Sequence, residues 1–82
     1  MPEVKMYALS TCSHCRNTKR LLNELGVKYS FVDVDLLSGA QKDADIEEMK
    51  QYNPYLTFPT LIINDQIIVG FREDMIREAL GV

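Results

Sequence analysis

Val4-Lys5-Met6-Tyr7-Ala8-Leu9-Ser10-Thr11-Cys12-Ser13-His14-Cys15 is the stretch that decides the fold. Val4 to Leu9 is short and mostly apolar and stops at the hydroxyl pair Ser10-Thr11, which predicts a buried strand handing over to a helix start. From about Ser13 to Leu25, Cys15, Thr18, Leu22 and Leu25 recur at three- and four-residue spacing with Leu21 beside them, while Arg16, Lys19, Arg20 and Glu24 fall elsewhere. That spacing describes one face of an amphipathic helix, with Gly26 as its C-cap. The two cysteines therefore sit on a strand-to-helix junction.

Outward from that junction, Val27, Tyr29 and Phe31 alternate with polar residues and lead into Val32-Asp33-Val34, the pattern of a second strand. Ser38-Gly39 predicts a loop over Leu36 to Gln41, and the Ala-, Glu- and Lys-rich run from about Ala40 to Tyr52 a second helix, closed by Asn53-Pro54. Leu61-Ile62-Ile63 and Ile67-Ile68-Val69, separated by Asn64-Asp65-Gln66, read as a β-hairpin. Gly70 breaks the last strand. Met75, Ile76, Ala79 and Leu80 then mark the inner face of a final helix, with Arg72, Glu73, Asp74, Arg77 and Glu78 outside. The order is β-α-β-α-β-β-α. A crossover makes the first two strands parallel and a hairpin makes the last two antiparallel, so the fold class is α/β with a four-stranded mixed sheet and three helices.

A chain of 82 residues has room for one domain, expected to span residues 1–82. Its 46% hydrophobic content is ordinary for a globular chain and far from the composition of disorder. A formal charge of −3, from 9 Lys and Arg against 12 Asp and Glu, offers no field for nucleic acid or an anionic membrane. The cysteine end is the basic one: Lys5, Arg16, Lys19, Arg20 and Lys28 face only Glu3 and Glu24 in residues 1–32. A solvated helix face accounts for that charge; so does help in holding a thiolate. No apolar run is long enough to span a bilayer, and the Met1-Pro2-Glu3 start lacks the basic and apolar regions of a leader, so a cytoplasmic location is expected; a monomer is expected as well.

Cys12, at a helix N-terminus, faces unpaired N–H groups and the positive end of the helix dipole, which together lower a thiol's pKa. Cys15 lies one turn further in, on the apolar face, where burial keeps it protonated. The pattern suits an attacking thiolate followed by a resolving thiol, and a spacing of three brings the sulfurs to one face of the helix. A disulfide closing so small a loop would constrain the unfolded chain little, which argues against a structural staple. Zinc sites use the same Cys-x-x-Cys spacing but as a rule need four ligands, where this chain offers two Cys and His14. His14 is either surface decoration or an imidazolium that favours the Cys12 thiolate. Pro59, just before an apolar strand, lacks the N–H of a ladder donor; it is an edge proline or part of a special turn with a cis peptide, presenting the preceding backbone to an extended substrate.

Cys12-Ser13-His14-Cys15 after a strand, Thr57-Phe58-Pro59-Thr60 before one, and Val69-Gly70-Phe71-Arg72-Glu73-Asp74 before the last helix together resemble the glutaredoxin family across nearly the whole chain. The resemblance implies the thioredoxin fold, Pro59 packed opposite the cysteine pair, and reduction of protein disulfides or glutathione mixed disulfides. It implies that Thr11 and His14 border the thiolate, that Thr57, Phe58 and Pro59 dock substrate backbone, and that Gly70, Phe71, Arg72 and Asp74 receive a peptide or glutathione terminus, although Arg72 and Asp74 read equally as the solvated first turn of the last helix. Typical glutaredoxins carry Cys-Pro-Tyr-Cys with a basic residue three positions earlier, where this chain has Leu9. The Gly70-Phe71-Arg72-Glu73-Asp74 run is closer to the glutaredoxin-like redoxins that reduce ribonucleotide reductase and are recharged by thioredoxin reductase. Implied partners are thus disulfide-containing proteins, ribonucleotide reductase among them, with glutathione or thioredoxin reductase as electron donor and no tightly bound cofactor. The alternative is an iron–sulfur carrier. Some glutaredoxins with Ser after the first cysteine hold a 2Fe–2S cluster between two protomers through that cysteine and glutathione.

Overall fold

Burial on both faces explains why β1 (Val4–Ala8) reads as a nearly continuous apolar run. A computed structural model describes residues 3–82 and places this strand inside a four-stranded sheet of order β2-β1-β3-β4. Met1 and Pro2, on which part of the leader reading rests, lie outside the described residues. Alternate residues of β1 point to opposite sides. Val4, Met6 and Ala8 join Leu21, Leu22 and Ile76 in one apolar cluster; Tyr7 joins Val34, Met49 and Ile62 in another.

The first cluster is closed by α1 (Ser13–Glu24) and α3 (Glu73–Leu80), the second by α2 (Gly39–Lys50). α1 buries Cys15, Thr18, Leu21 and Leu22, the predicted face, and stops at Gly26. There φ is 69°, and the N–H of Val27 reaches back to the Leu22 carbonyl at 3.0 Å, a Schellman-type stop that glycine adopts without steric cost. α1 is the crossover that leaves β2 (Ser30–Asp33) parallel to β1, with Met6 beside Phe31. β3 (Thr60–Ile63) runs antiparallel to β1 and is buried throughout, and the two-residue turn Asn64-Asp65 leads into the edge strand β4 (Gln66–Val69).

Several details differ from the sequence reading: Gln66 joins β4 instead of the turn, and β2 starts at Ser30, after Val27 and Tyr29. Val34 leaves the second strand and starts a 3-10 turn, Val34–Leu36, because β1 ends at Ala8, opposite Asp33, and offers no further ladder partner. The predicted loop over Leu36 to Gln41 is shorter, since extended Ser38 occupies the cap position and α2 starts at Gly39. α2 also ends at Lys50, where the N–H groups of Tyr52 and Asn53 both turn back to the Met49 carbonyl at 2.9 and 2.8 Å. Met75, read as an inner residue of the last helix, is 40% exposed, since the sheet is met by Ile76 with Ala79 and Leu80 behind it.

Candidate active site

Cys12 is the N-cap of α1. Its backbone is extended (φ −84°, ψ 122°), and its sulfur takes the place usually held by a capping oxygen, accepting the Cys15 N–H at 3.3 Å. The loop leading to it is tied down on both sides. The Cys12 N–H donates to the Leu9 carbonyl at 3.2 Å, and Asp35, in the 3-10 turn, accepts the Ser10 N–H at 2.9 Å and the Ser10 hydroxyl. Asp35 escaped the sequence reading, because an acidic residue in a turn shows no sign that its partner lies 25 positions earlier.

Both cysteines are free thiols in different environments: Cys12 is half-buried and Cys15 is 0% exposed within the α1-side cluster. Partial burial pushes the Cys12 thiol up. Hydrogen bonds from the Cys15 thiol, the Cys15 N–H and the His14 N–H, together with the Arg16 charge, outweigh that and hold it below its ordinary 9.0. Cys15 moves the other way: burial first, then its hydrogen bond to Cys12, pushes its thiol up to about 12. The contribution of His14 comes through its backbone N–H, and the side chain of this residue lies exposed. Lys19, one turn beyond Cys15, bridges to Asp33 on β2 at 3.1 Å and stands 4.1 Å from the Phe31 ring centroid, a charge held beside the cysteine helix.

The other predicted residues divide into two groups. Phe58 and Phe71 pack against the same apolar cluster as Cys12 and Cys15, the Phe58-Pro59 peptide is cis, and the Gly70 N–H donates to the Pro59 carbonyl at 2.8 Å. The structure therefore joins the cysteine, proline and Gly70 segments. Thr11, His14, Thr57, Arg72 and Asp74 are exposed; Arg72 caps the start of α3 and its Nε donates to the Val69 carbonyl at 3.3 Å, with Asp74 in the first turn behind it. On the α2 side a groove of about 240 Å³ runs past Leu9, Met49, Leu56 and Phe58, with Asp35 and Lys42 as its charged members.

Asn53 was read only as a helix stop. Its side chain is buried and hydrogen-bonded to Thr57 and Thr60, on either side of Phe58-Pro59. Among the described residues no three His, Cys, Asp or Glu side chains gather as a metal site. A cluster bound through Cys12 would have to draw its remaining ligands from a second protomer and glutathione. No helix of the described residues is long and apolar enough to cross a membrane.

Comparison with known proteins follows the same lines. The glutaredoxin family profile matches residues 4–68. A glutaredoxin-like 8.6 kDa protein of the Clostridium pasteurianum rubredoxin operon is 33% identical over 85% of this chain and 87% of its own length. The glutaredoxin-like protein NrdH of Salmonella typhimurium is 29% identical over 89% of this chain and 83% of its own. The crystal structure of Methanosarcina acetivorans methanoredoxin superposes with a TM-score of 0.92 at 49% identity, covering 98% of this chain and 85% of that one. The chain spans only 31% of a longer relative, glutathione S-transferase 3 of Zea mays, at 29% identity over 88% of this chain.

Proposed function

The chain belongs to the glutaredoxin family, and we propose that it is a thiol–disulfide oxidoreductase passing two electrons to protein disulfides or glutathione mixed disulfides through Cys12 and Cys15. The observation that carries this reading is the inequality of the pair: a half-exposed Cys12 with its thiol pKa lowered, against a fully buried Cys15 raised to about 12. The thiolate is the nucleophile of disulfide exchange, so of the two Cys12 is the one that attacks.

The Cys12 thiolate attacks one substrate sulfur, the Cys12–substrate bond forms, the substrate S–S bond breaks, and the departing thiolate takes a proton from solvent. With its negative charge consumed, Cys12 no longer raises the Cys15 pKa, and Cys15 gives up its proton more readily. Cys15 then attacks the Cys12 sulfur, the mixed disulfide breaks, and the second substrate thiol leaves. The substrate has gained two electrons and the protein holds a Cys12–Cys15 disulfide.

Thr11 and the helix start shape the thiolate site, while Thr57, Phe58 and Pro59 dock the substrate backbone alongside it. The exposed Arg72 and Asp74, at the start of α3, receive a peptide or glutathione terminus. The resemblance to ribonucleotide reductase reductants, supported by the NrdH relative, extends the substrate class to that enzyme. No tightly bound cofactor is needed for these steps, and glutathione or thioredoxin reductase supplies the electrons.

Oxidised protein is offered either glutathione with glutathione reductase, or thioredoxin reductase, each with NADPH, and NADPH loss is followed. Consumption in one arm identifies the donor; consumption in neither removes both. Protein purified separately without air tests the carrier alternative: iron and colour without exchange activity would replace the enzyme reading.

A further inference from the structure

Asn53 is only 4% exposed, although its carboxamide carries two donors and an acceptor that must be satisfied once buried. Its Nδ2 lies 2.9 Å from the Thr57 hydroxyl, 3.0 Å from the Thr60 hydroxyl and 3.2 Å from the Thr57 carbonyl. Its Oδ1 accepts the Tyr55 N–H at 3.1 Å, and the Thr60 hydroxyl in turn donates to the Thr57 carbonyl at 2.8 Å. Stopping α2 requires none of this. The Asn53 backbone N–H already turns back to the Met49 carbonyl at 2.8 Å, and Pro54 follows.

Pro59 is tied by the Gly70 N–H and Thr60 by its strand partners Tyr7 and Val69, whereas the residues before Phe58 lie outside any strand or helix. Leu56 has a φ of 55°, a left-handed conformation that a branched side chain adopts only when its surroundings impose it. Thr57 is exposed and belongs to no strand or helix. A buried amide bound to both sides of Phe58-Pro59 ties Thr57 to the anchored Thr60.

We infer that Asn53 is a positioning residue for peptide substrates: through Thr57 and Thr60 it fixes the Thr57-Phe58-Pro59 backbone on which an extended chain beside the disulfide docks. The inference rests on the exchange reading above, in which that segment receives substrate. The side-chain hydrogen bonds of Asn53 stay within residues 53–60, and none involves a cysteine. Loosening them weakens docking and leaves the attack of Cys12 as it was, a loss in half-saturation and not in limiting rate.

The test uses pre-reduced protein and two probes: an extended peptide with one intermolecular disulfide, and the compact aryl disulfide dithiobisnitrobenzoate, which has no peptide backbone. For Asn53→Ala, loss of this buried hydrogen bonding should raise the half-saturating peptide concentration about tenfold. The limiting rate and the reaction with the aryl disulfide should stay within about twofold of the parent. Thr60→Val removes one hydroxyl of the same network at similar volume and should show the same split if Asn53→Ala fails to fold, with Thr60→Ser restoring the parent values. Equal losses on both probes, or no change on either, would overturn the inference. A parent chain that reacts with neither probe defeats the exchange reading itself, and the inference with it.

Discussion

Removing the Cys15 thiol should move the titration of Cys12 upward in pH. The Cys12 thiolate is held by the Cys15 thiol, the Cys15 and His14 N–H groups and the Arg16 charge. Cys15→Ala deletes the first and keeps the rest, since the N–H at 3.3 Å from the sulfur belongs to the backbone. A hydrogen bond to a charged acceptor contributes about 1.5–3 kcal/mol, equivalent to about one to two pH units. Cys12 is only partly exposed, so water replaces part of the lost bond, and alkylation of the Ala variant at low pH should be about tenfold slower than that of the parent. Cys15→Ser keeps a donor at the same place and should stay near the parent. The assay is the rate of Cys12 alkylation by iodoacetamide against pH, followed on the Cys12 peptide by mass. An Ala variant that titrates with the parent, or a Ser variant that shifts as far as Ala, would refute the claim that the buried thiol activates the exposed one.

Two other outcomes follow from the same structure. A buried thiol whose folded pKa is raised contributes stability that is fully present below its unfolded value and lost as pH rises through the folded one. Cys15 therefore makes the reduced protein lose stability between its ordinary 9.0 and about 12, joined by Tyr7, which burial pushes up to about 12. Denaturant midpoints should fall across that window and fall less in Cys15→Ala; equal falls would assign the whole effect to other groups. Separately, Leu9 lines the groove where typical glutaredoxins carry a basic residue. Leu9→Lys, by supplying a partner for a carboxylate, should raise kcat/KM with glutathione as donor about tenfold and leave the reaction with a neutral disulfide unchanged. Equal gains with both would point to a general effect on Cys12.

Much of this architecture was legible from spacing alone, and where it was not the reason is physical. Cys15, Thr18 and Leu22 announced the buried face of α1, and Gly26 its end, because that helix face packs directly on the first cluster, which it closes together with α3. α2 buries only Met49 fully, so its limits had to be taken from composition and overran Lys50. Val34 is β-branched and reads as strand, yet its conformation is set by where β1 stops, a fact of register that no local pattern carries. In the site, the cysteine spacing and Pro59 were visible beforehand. The supports were not: Asp35 meets Ser10 across 25 positions, and Asn53 looked like punctuation until the chain folded back over it.

The division of labour between the two cysteines is tested most directly by trapping. Cys15→Ser, reduced and then exposed to glutathione disulfide near neutral pH, should accumulate one glutathionyl group per chain, and peptide mapping should find it on Cys12. Cys12→Ser under the same conditions should take up none, because the remaining thiol is buried and protonated. An adduct on Cys15, or disulfide reductase turnover retained by Cys12→Ser, would contradict the account.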